Sequence, residues 1–338
     1  MKKLGIIFGG MSTEHDVSLL SAKSVIQNIN KNKYEIIPIY INKNGDWYKF
    51  GNLNNKIDNI FSILKTLDVA FPVMHGKYGE DGSIQGLLEM LRIPYVGCKI
   101  LASSVGMDKV YSKIIFEKAN IKQAKYEYIR RFEDKFIYID REFNERMYLL
   151  EEIVEIISNN LKFPLFIKPS NSGSSIGINK AKTKEELKEY IKYASEYDNK
   201  ILVEEGIEGK EVECAVLGNE EVISSCVGEI IPAEEYYTYD AKYNNKESVT
   251  IIPADIDKEI SNEIRDKAIK AFKAISGSGL ARVDFFVEKN TNNILINEIN
   301  TMPGFTEISM YPQLFEQVGI KYSELLDKLI EISIRRGD

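Results

Sequence analysis

The sequence predicts a multidomain protein of the α/β and α+β classes, and three observations support this. Up to about residue 105, short apolar runs alternate with amphipathic segments of helical spacing, an order typical of a mainly parallel sheet. Later the pattern changes to strand pairs, which end in a hairpin between Leu280 and Asn300. The chain has 338 residues, which is too long for one small core and indicates two or three domains.

Composition and charge exclude several classes of protein. The net charge of −7 argues against nucleic-acid binding, which usually needs a basic face. No apolar run approaches the roughly 18 residues of a membrane span. The opening MKKLGIIFGG resembles a signal peptide, but its apolar run is brief and Glu14 and Asp16 follow soon after. We therefore expect a cytoplasmic protein with no membrane or nucleic-acid partner.

Cysteines and histidines are too few and too scattered for a disulfide framework or a zinc site. Cys98, Cys214 and Cys226 form no CxxC pair. His15 and His75 are the two histidines of the chain, so a zinc centre is not expected.

The first part of the chain predicts strands and helices in alternation. The predicted strands are LGIIF, YEIIPIYI and DVAFPVMH, and the predicted helices are SLLSAKSVIQNI and SIQGLLEML. Functional loops of such a sheet lie at the carboxyl ends of its strands. Two glycine-bearing polar loops fall there, one from Gly9 to His15 and one from His75 to Gly82. Tight turns are the alternative interpretation, but the pair favours a ligand cleft, with His75 as a substrate-binding candidate.

The middle of the chain contains a candidate phosphate site. MDKVYSKIIFEKANI has helical spacing, with Lys109 near its start. Residues 126–160 are highly charged and predicted to be helical or irregular, a solvated face without assigned chemistry. Next, an apolar strand ends in Lys168, and a serine-glycine loop runs from Ser170 to Gly177. Backbone N–H groups and a fixed lysine suit phosphate oxygens. The GK[ST] ending of a Walker A loop is missing, and a flexible linker is the alternative.

Three glutamates and a long irregular segment follow. Glu204, at the end of an apolar strand beside Glu205, is placed to accept a hydrogen bond from an adenine amino group, and Glu211 to bind ribose hydroxyls. Surface positions are the alternative for isolated glutamates. The tyrosine-rich stretch 233–254 has little regular pattern and precedes a helix. Segments of this kind often form active-site lids, although a surface loop is also compatible.

The hairpin at 280–300 brings oxygen-bearing side chains together. If it is symmetric about Thr291, Asp284 lies opposite Glu298 and Arg282 lies opposite Asn300. Opposed carboxylates destabilise a sheet unless positive charge lies between them. Asp284, Glu298 and Asn300 therefore suit a hard divalent cation such as Mg²⁺. Carboxylates diverging into solvent are the alternative.

Six motifs in order resemble the D-alanine–D-alanine ligases of the ATP-grasp superfamily over essentially the whole chain: FGGMSTEHDVS, HGKYGEDGSIQG, KPSNSGSSIG, YDAKY, ARVDFF and NEINTMPGFT. The resemblance implies an ATP-grasp fold in which a parallel-sheet domain precedes two sheet-containing domains that hold ATP between them. We place these domains at residues 1–106, 107–205 and 206–338.

The resemblance also implies roles for individual residues. Lys109 and Lys168 would contact the nucleotide phosphates and the loop with Ser174 and Ser175 would close over them, while Glu204, Glu205 and Glu211 would bind the nucleoside. Asp284, Glu298 and Asn300 would hold two Mg²⁺ ions, or Mn²⁺. Glu14 would anchor the ammonium group of the first D-alanine and would be linked to the loop and the lid through Ser174 and Tyr243. The oxyanion would be stabilised by Arg282 and the N–H of Gly304. The second substrate would be held by Ser309, with Lys242.

The second substrate is implied to be D-alanine. Lys242-Tyr243 matches the D-alanine type of lid, and Met310 stands where D-lactate and D-serine ligases tend to carry arginine. Ligation to D-serine or D-lactate is the alternative within the family. Another carboxylate–amine ligase of the same fold and a non-catalytic nucleotide-binding module are the alternatives outside it. The resemblance further implies a homodimer.

Overall fold

The computed structural model describes residues 1–49, 56–231, 249–306 and 308–336. These residues form three sheets covered by helices. Within these four ranges, no helix combines the length and apolar character needed to cross a membrane.

The first sheet is mainly parallel, as predicted. Its elements are β1 (Lys2–Gly9), α1 (His15–Asn28), β2 (Tyr34–Ile41), β3 (Trp47–Lys49), α2 (Ile60–Leu64), β4 (Val69–Val73) and α3 (Ser83–Met90). Strands β2 and β4 flank β1 in parallel, and β3 adds an antiparallel edge. From its third residue onward β1 is buried on both faces, which explains its uninterrupted apolar run.

The second sheet is antiparallel and has the order β7-β6-β5-β10-β8-β9. Two helices precede it and two more lie between its strands. The elements are α4 (Ile100–Met107), α5 (Lys109–Lys118), β5 (Tyr126–Phe132), β6 (Lys135–Ile139), β7 (Glu145–Tyr148), α6 (Leu150–Asn160), β8 (Leu165–Pro169), β9 (Asn179–Ala181), α7 (Lys184–Ala194) and β10 (Lys200–Glu205).

The prediction that residues 126–160 are helical or irregular was wrong for most of this segment. Three strands, β5 to β7, occupy residues 126–148, and only α6 is helical. The strands carry charges because one face is solvated; Arg130, for example, pairs with Glu145 across the exposed surface. Their order depends on β5 pairing with β10, far along the chain, and a local pattern does not reveal such a partner.

The third sheet is antiparallel, in the order β13-β12-β11-β14-β15. Its elements are β11 (Gly209–Gly218), β12 (Val222–Ile231), β13 (Val249–Ile251), α8 (Lys258–Ala274), β14 (Gly279–Glu288) and β15 (Ile294–Asn300), followed by α9 (Met310–Gln317) and α10 (Tyr322–Arg335). The predicted register is confirmed, since Asp284 pairs with Glu298 and Arg282 with Asn300.

The sheets are connected through shared cores. One face of the first sheet packs with α9 and α10, and the rings of Phe71 and Phe305 meet edge-on at 5.4 Å between centroids. The second sheet has a core of its own with α6 and α7. Helices α4 and α5 contribute Ala102 and Phe116 to the core of the third sheet. The domain limits at residues 106 and 205 remain predictions.

Candidate active site

A cavity of about 310 Å³ lies between the second and third sheets. Apolar side chains including Phe166, Ile207 and Phe286 form part of its wall, and charged groups form the rest. It brings together most of the predicted nucleotide and metal residues, namely Lys109, Lys168, Ser174, Ser175, Glu204, Glu205, Glu211, Asp284 and Glu298. Residues separated by nearly 190 positions in the sequence therefore meet in one site.

The start of α5 is fixed by a capping carboxylate. Asp108 Oδ1 accepts hydrogen bonds from the backbone N–H of Val110 and Tyr111, each 3.1 Å long. The Ser170 hydroxyl donates to the same oxygen at 2.7 Å, and Lys200 Nζ lies 2.5 Å from Oδ2. An N-cap of this kind satisfies amides that the helix leaves free. It also ties the helix to the beginning of the serine-glycine loop.

Lys109, the next residue, is directed at the loop and at the hairpin. Its Nζ donates to the backbone oxygen of Ser172 at 2.8 Å and lies 3.4 Å from Glu298 Oε2. The side chain is 13% exposed, so its charge acts in a partly desolvated site where electrostatic interactions are strong.

Glu204 connects two lysines at the bottom of the cavity. Lys168 pairs with its Oε1, and Lys113 Nζ lies 2.8 Å from its Oε2. Burial alone would raise the pKa of Glu204, but the two ammonium groups outweigh it and lower the pKa to about 2. Because both oxygens are engaged, direct bonding of this carboxylate to adenine remains a prediction.

Lys113 was missed by the sequence reasoning. It follows Lys109 by one helical turn, and residues at this spacing share a helix face. That spacing was the available signal that Lys113 lies on the same helix face as Lys109. Because the helix is rich in lysine, however, its sequence gave no reason to place one particular lysine in the interior.

Arg282 is held by two carboxylates. Its guanidinium donates to both oxygens of Asp284, at 2.8 and 2.7 Å, and lies 2.9 Å from Glu213 Oε2. The structure therefore shows the ion pair that the opposed carboxylates of the hairpin require. Stabilisation of an oxyanion by Arg282 remains a prediction. Glu213, on β11 opposite Asp284, was missed because nothing in the sequence locates the strand next to the hairpin.

The side chains of the hairpin fit a hard divalent cation by the chemistry of their donors. Asp284 and Glu298 face each other across the register, and Asn300 Nδ2 lies 3.0 Å from Asp284 Oδ2. Carboxylate and amide oxygens are ligands that Mg²⁺ accepts. Among the described residues, no group of three or more His, Cys, Asp or Glu side chains converges as a metal site. Binding of a cation by Asp284, Glu298 and the amide of Asn300 remains a prediction.

Glu14 lies between two loops and is buried, with 6% exposure. The Ser174 hydroxyl donates to its Oε1. A Cβ atom at Gly76 would approach Glu14 Oε2 to 2.3 Å, and one at Gly173 to 2.4 Å. A side chain at either position would therefore require the Glu14 carboxylate to shift. The predicted association of Glu14 with Ser174 is thus present as a contact, and its binding of an ammonium group remains a prediction.

His75 and Glu80 lie close to Glu14. His75 Nε2 is 3.0 Å from Ser21 Oγ and Nδ1 is 3.1 Å from the Met302 oxygen, and burial lowers the pKa of the imidazole. The backbone N–H of Gly76 donates to Glu80 Oε1 at 2.8 Å. Burial, together with the charge of Glu14, raises the pKa of Glu80 to about 8. Glu80 was not among the predicted site residues.

Replacing Glu80 by Gln is expected to flatten the pH dependence of stability. Between about pH 4.5 and pH 8 the folded protein keeps a proton that the unfolded chain has lost, so stability falls as pH rises through this window and levels off above it. Unfolding temperatures of wild type and Glu80→Gln at about pH 5, 6.5 and 8 measure the difference. Glu35→Gln, which changes an exposed carboxylate, is the control. An unfolding temperature that falls with pH as steeply in Glu80→Gln as in wild type would contradict the raised pKa of Glu80.

The structure describes the predicted site residues that follow the hairpin. Ser309 Oγ accepts from the backbone N–H of Thr306 at 2.9 Å, and a Cβ atom at Gly304 would come within 2.7 Å of that oxygen. Met310 is buried in the core of the first sheet, with its Cε against Gly228. Roles of these residues with a substrate remain predictions. Lys242 and Tyr243 lie outside the described residues.

The whole arrangement is that of the ATP-grasp fold, with a charged cavity between two antiparallel sheets beside a parallel-sheet domain. Family models agree over most of the chain: "D-ala D-ala ligase C-terminus" matches residues 115–331, and "D-ala D-ala ligase N-terminus" matches residues 3–62 and 51–98. The chain belongs to the D-alanine–D-alanine ligase family, a family of enzymes.

Full-length relatives agree with this assignment. The D-alanine–D-alanine ligase of Acetivibrio thermocellus is 49% identical, over 99% of this chain and 96% of its own length. The crystal structure of the D-Ala:D-Ser ligase VanG from Enterococcus faecalis superposes with a TM-score of 0.85 at 39% identity, covering 98% of this chain and 99% of that one. A D-alanine–D-alanine ligase from Bacillus anthracis complexed with ATP gives 0.77 at 28% identity, covering 100% and 99%.

Proposed function

We propose that this chain joins two D-alanine molecules to D-alanyl-D-alanine at the expense of ATP, through a D-alanyl phosphate, and so supplies a peptidoglycan precursor. One observation carries the proposal further than the others. Ser174 lines the cavity between the two antiparallel sheets, and its hydroxyl donates to Glu14 in the first domain. This contact supports one continuous site, formed by the phosphate side of the cavity and the loops of the parallel sheet.

The cavity suits ATP in size and chemistry. Its apolar wall, with Phe166 and Phe286, can pack against a purine, and Lys109 and Lys168 supply positive charge for the phosphates. Ser174 and Ser175 both have positive φ, at 49° and 60°, an uncommon conformation that is often found at ligand-binding loops. The similar structure of a D-alanine–D-alanine ligase from Bacillus anthracis was solved as a complex with ATP, which supports ATP as the nucleotide.

The reaction needs ATP because a carboxylate does not react directly with an amine. Transfer of the terminal phosphoryl group to the carboxylate of the first D-alanine forms an acyl phosphate and releases ADP. The amine of the second D-alanine then attacks the carbonyl carbon and loses a proton. The C–O bond to phosphate breaks, and phosphate leaves. Arg282 and the N–H of Gly304 would stabilise the tetrahedral oxyanion, an effect worth roughly 3–4 kcal/mol for a single donor.

The hairpin would supply the metal site of this reaction. Two Mg²⁺ ions, or two Mn²⁺ ions in their place, would be held by Asp284, Glu298 and Asn300. Bound divalent ions neutralise charge on phosphoryl oxygens during transfer. The loop around Ser174, closing over the site, would keep water away from the acyl phosphate.

A phosphate-release assay tests the proposal. With ATP, Mg²⁺ and D-alanine, phosphate and dipeptide should form in equal amounts. D-Serine and D-lactate are added as competing second substrates, since the similarity to a D-Ala:D-Ser ligase makes D-serine the specific alternative. Turnover only with D-serine or D-lactate would change the substrate assignment and keep the reaction. Preference for an unrelated acid would show another carboxylate–amine ligase, and ATP binding without any turnover would show a non-catalytic module.

Three further proposals follow the family resemblance. The chain would form a homodimer, which sedimentation measurements test; it would act in the cytoplasm; and its domains would divide at residues 106 and 205, which limited proteolysis tests.

Replacing Gly173 by Ala is expected to reduce turnover about 100-fold, the order of loss that a displacement of roughly 1 Å produces. The added methyl group would approach Glu14 Oε2 to 2.4 Å and force Glu14 and Ser174 apart. Steady-state phosphate release measures the loss. The control is Gly86→Ala in α3, where the nearest atom would lie 3.9 Å away. Equal activity of the two variants would show that closure tolerates the displacement.

A further inference from the structure

Lys113 is a fully buried lysine to which the proposed reaction assigns no role. Its side chain is 2% exposed, and among the described residues those that line the cavity do not include it. An ammonium group in the interior is costly unless it is paired. What Lys113 does must therefore act through the group that it contacts.

Glu204 is that group, and it links Lys113 to Lys168. Lys113 Nζ lies 2.8 Å from Glu204 Oε2, while Lys168 pairs with Oε1. The ring of Tyr126 covers Lys113, with 5.4 Å between Nζ and the ring centroid. Burial lowers the pKa of Lys113, and the charge of Glu204 opposes this shift. With both lysines protonated, two ammonium groups share one carboxylate and the cluster carries one net positive charge. Without Lys113, Glu204 would cancel the charge of Lys168.

We propose that Lys113 is a positioning residue. By neutralising Glu204 from outside the cavity lining, it leaves the positive charge of Lys168 free to act on the nucleotide. Lys168 lines the cavity and Lys113 does not, so the first contacts the ligand and the second acts through the carboxylate. Charges act strongly on each other in such a desolvated site. This inference rests on the proposed binding of ATP, and it gives Glu204 an electrostatic function in addition to any contact with adenine.

The test is a charge-balance series measured by equilibrium binding of ATP with Mg²⁺ in the absence of amino acid. Lys113→Met leaves the cluster neutral and should raise the Kd of ATP roughly 30-fold or more. Because Glu204 is itself predicted to contact the nucleotide, Glu204→Gln serves as a second background, and in that background Lys113→Met should raise the Kd of ATP only a few-fold. In kinetics, Lys113→Met should raise KM for ATP more than it lowers kcat.

Lys118→Met, on the exposed side of the same helix, is the matched control and should bind ATP like wild type. Unchanged affinity of Lys113→Met would overturn the inference, and so would an equally large loss on adding Lys113→Met to Glu204→Gln, since a packing loss does not depend on the charge of Glu204. If Lys113→Met does not fold, Lys113→Gln replaces it in both backgrounds. Failure of wild type to bind ATP would instead contradict the proposed function.

Discussion

Replacing Arg282 by Met is expected to damage both stability and catalysis. In the structure its guanidinium is the partner of Asp284 and Glu213, whose side chains are only 5% and 4% exposed. Removing the cation takes the guanidinium away from two buried carboxylates, which should lower the free energy of unfolding by about 3–5 kcal/mol. Loss of an oxyanion donor should also lower kcat about 10²- to 10³-fold. Denaturant unfolding and phosphate release measure the two effects separately.

A double variant separates the two functions of Arg282. Adding Glu213→Gln to Arg282→Met removes one of the two buried negative charges, so it should recover part of the stability but none of the turnover. Arg265→Met is the control, because Arg265 is a partly buried arginine of α8 with a long 3.4 Å bond to the Ser224 oxygen. Full turnover in Arg282→Met would refute the oxyanion assignment, and unchanged unfolding would refute the stabilising ion pair.

The hairpin shows how much of the site the sequence could predict. Strand alternation and a polar turn sufficed to place Asp284 opposite Glu298 and Arg282 opposite Asn300, and the structure confirms this register. The interaction is local, separated by one turn, and strand period places the two side chains near each other. A register shift between Asp284 and Phe285 also contributes to this pairing, and the sequence period does not show it. The parallel order of the first sheet was predictable for a similar reason, since its strands and helices alternate along the chain.

Contacts between distant segments could not be predicted in this way. Nothing in the pattern around Glu213 shows that its strand lies beside the hairpin, and nothing in the charged run near Arg130 shows that β5 pairs with β10. Burial of Lys113 is a further case, because a lysine is normally placed on the surface. Each of these features depends on a partner far away in the sequence.

Replacing Glu298 by Gln, in contrast to Arg282→Met, is expected to abolish turnover and leave the fold intact. Glu298 is 23% exposed and lies 3.4 Å from Lys109, a distance at which a partly solvated pair contributes little. It also faces Asp284 across the hairpin, so removing its charge relieves a repulsion between like charges. Stability should stay unchanged or rise slightly in the absence of metal.

The catalytic loss arises because Gln offers the metal a neutral and weaker oxygen donor. Stabilisation of phosphoryl transfer by a bound cation is worth several kcal/mol, so kcat should fall roughly 10³-fold or more. Glu288→Gln is the matched control. Glu288 lies in the same hairpin, but its carboxylate accepts hydrogen bonds from the side chains of Thr291 and Asn293 in the turn. Phosphate release at saturating Mg²⁺ and thermal unfolding without Mg²⁺ are measured for both variants. Near-normal turnover of Glu298→Gln would show that the cation is held elsewhere, whereas lost turnover with unchanged unfolding would place the function of Glu298 in the chemistry and not in the fold.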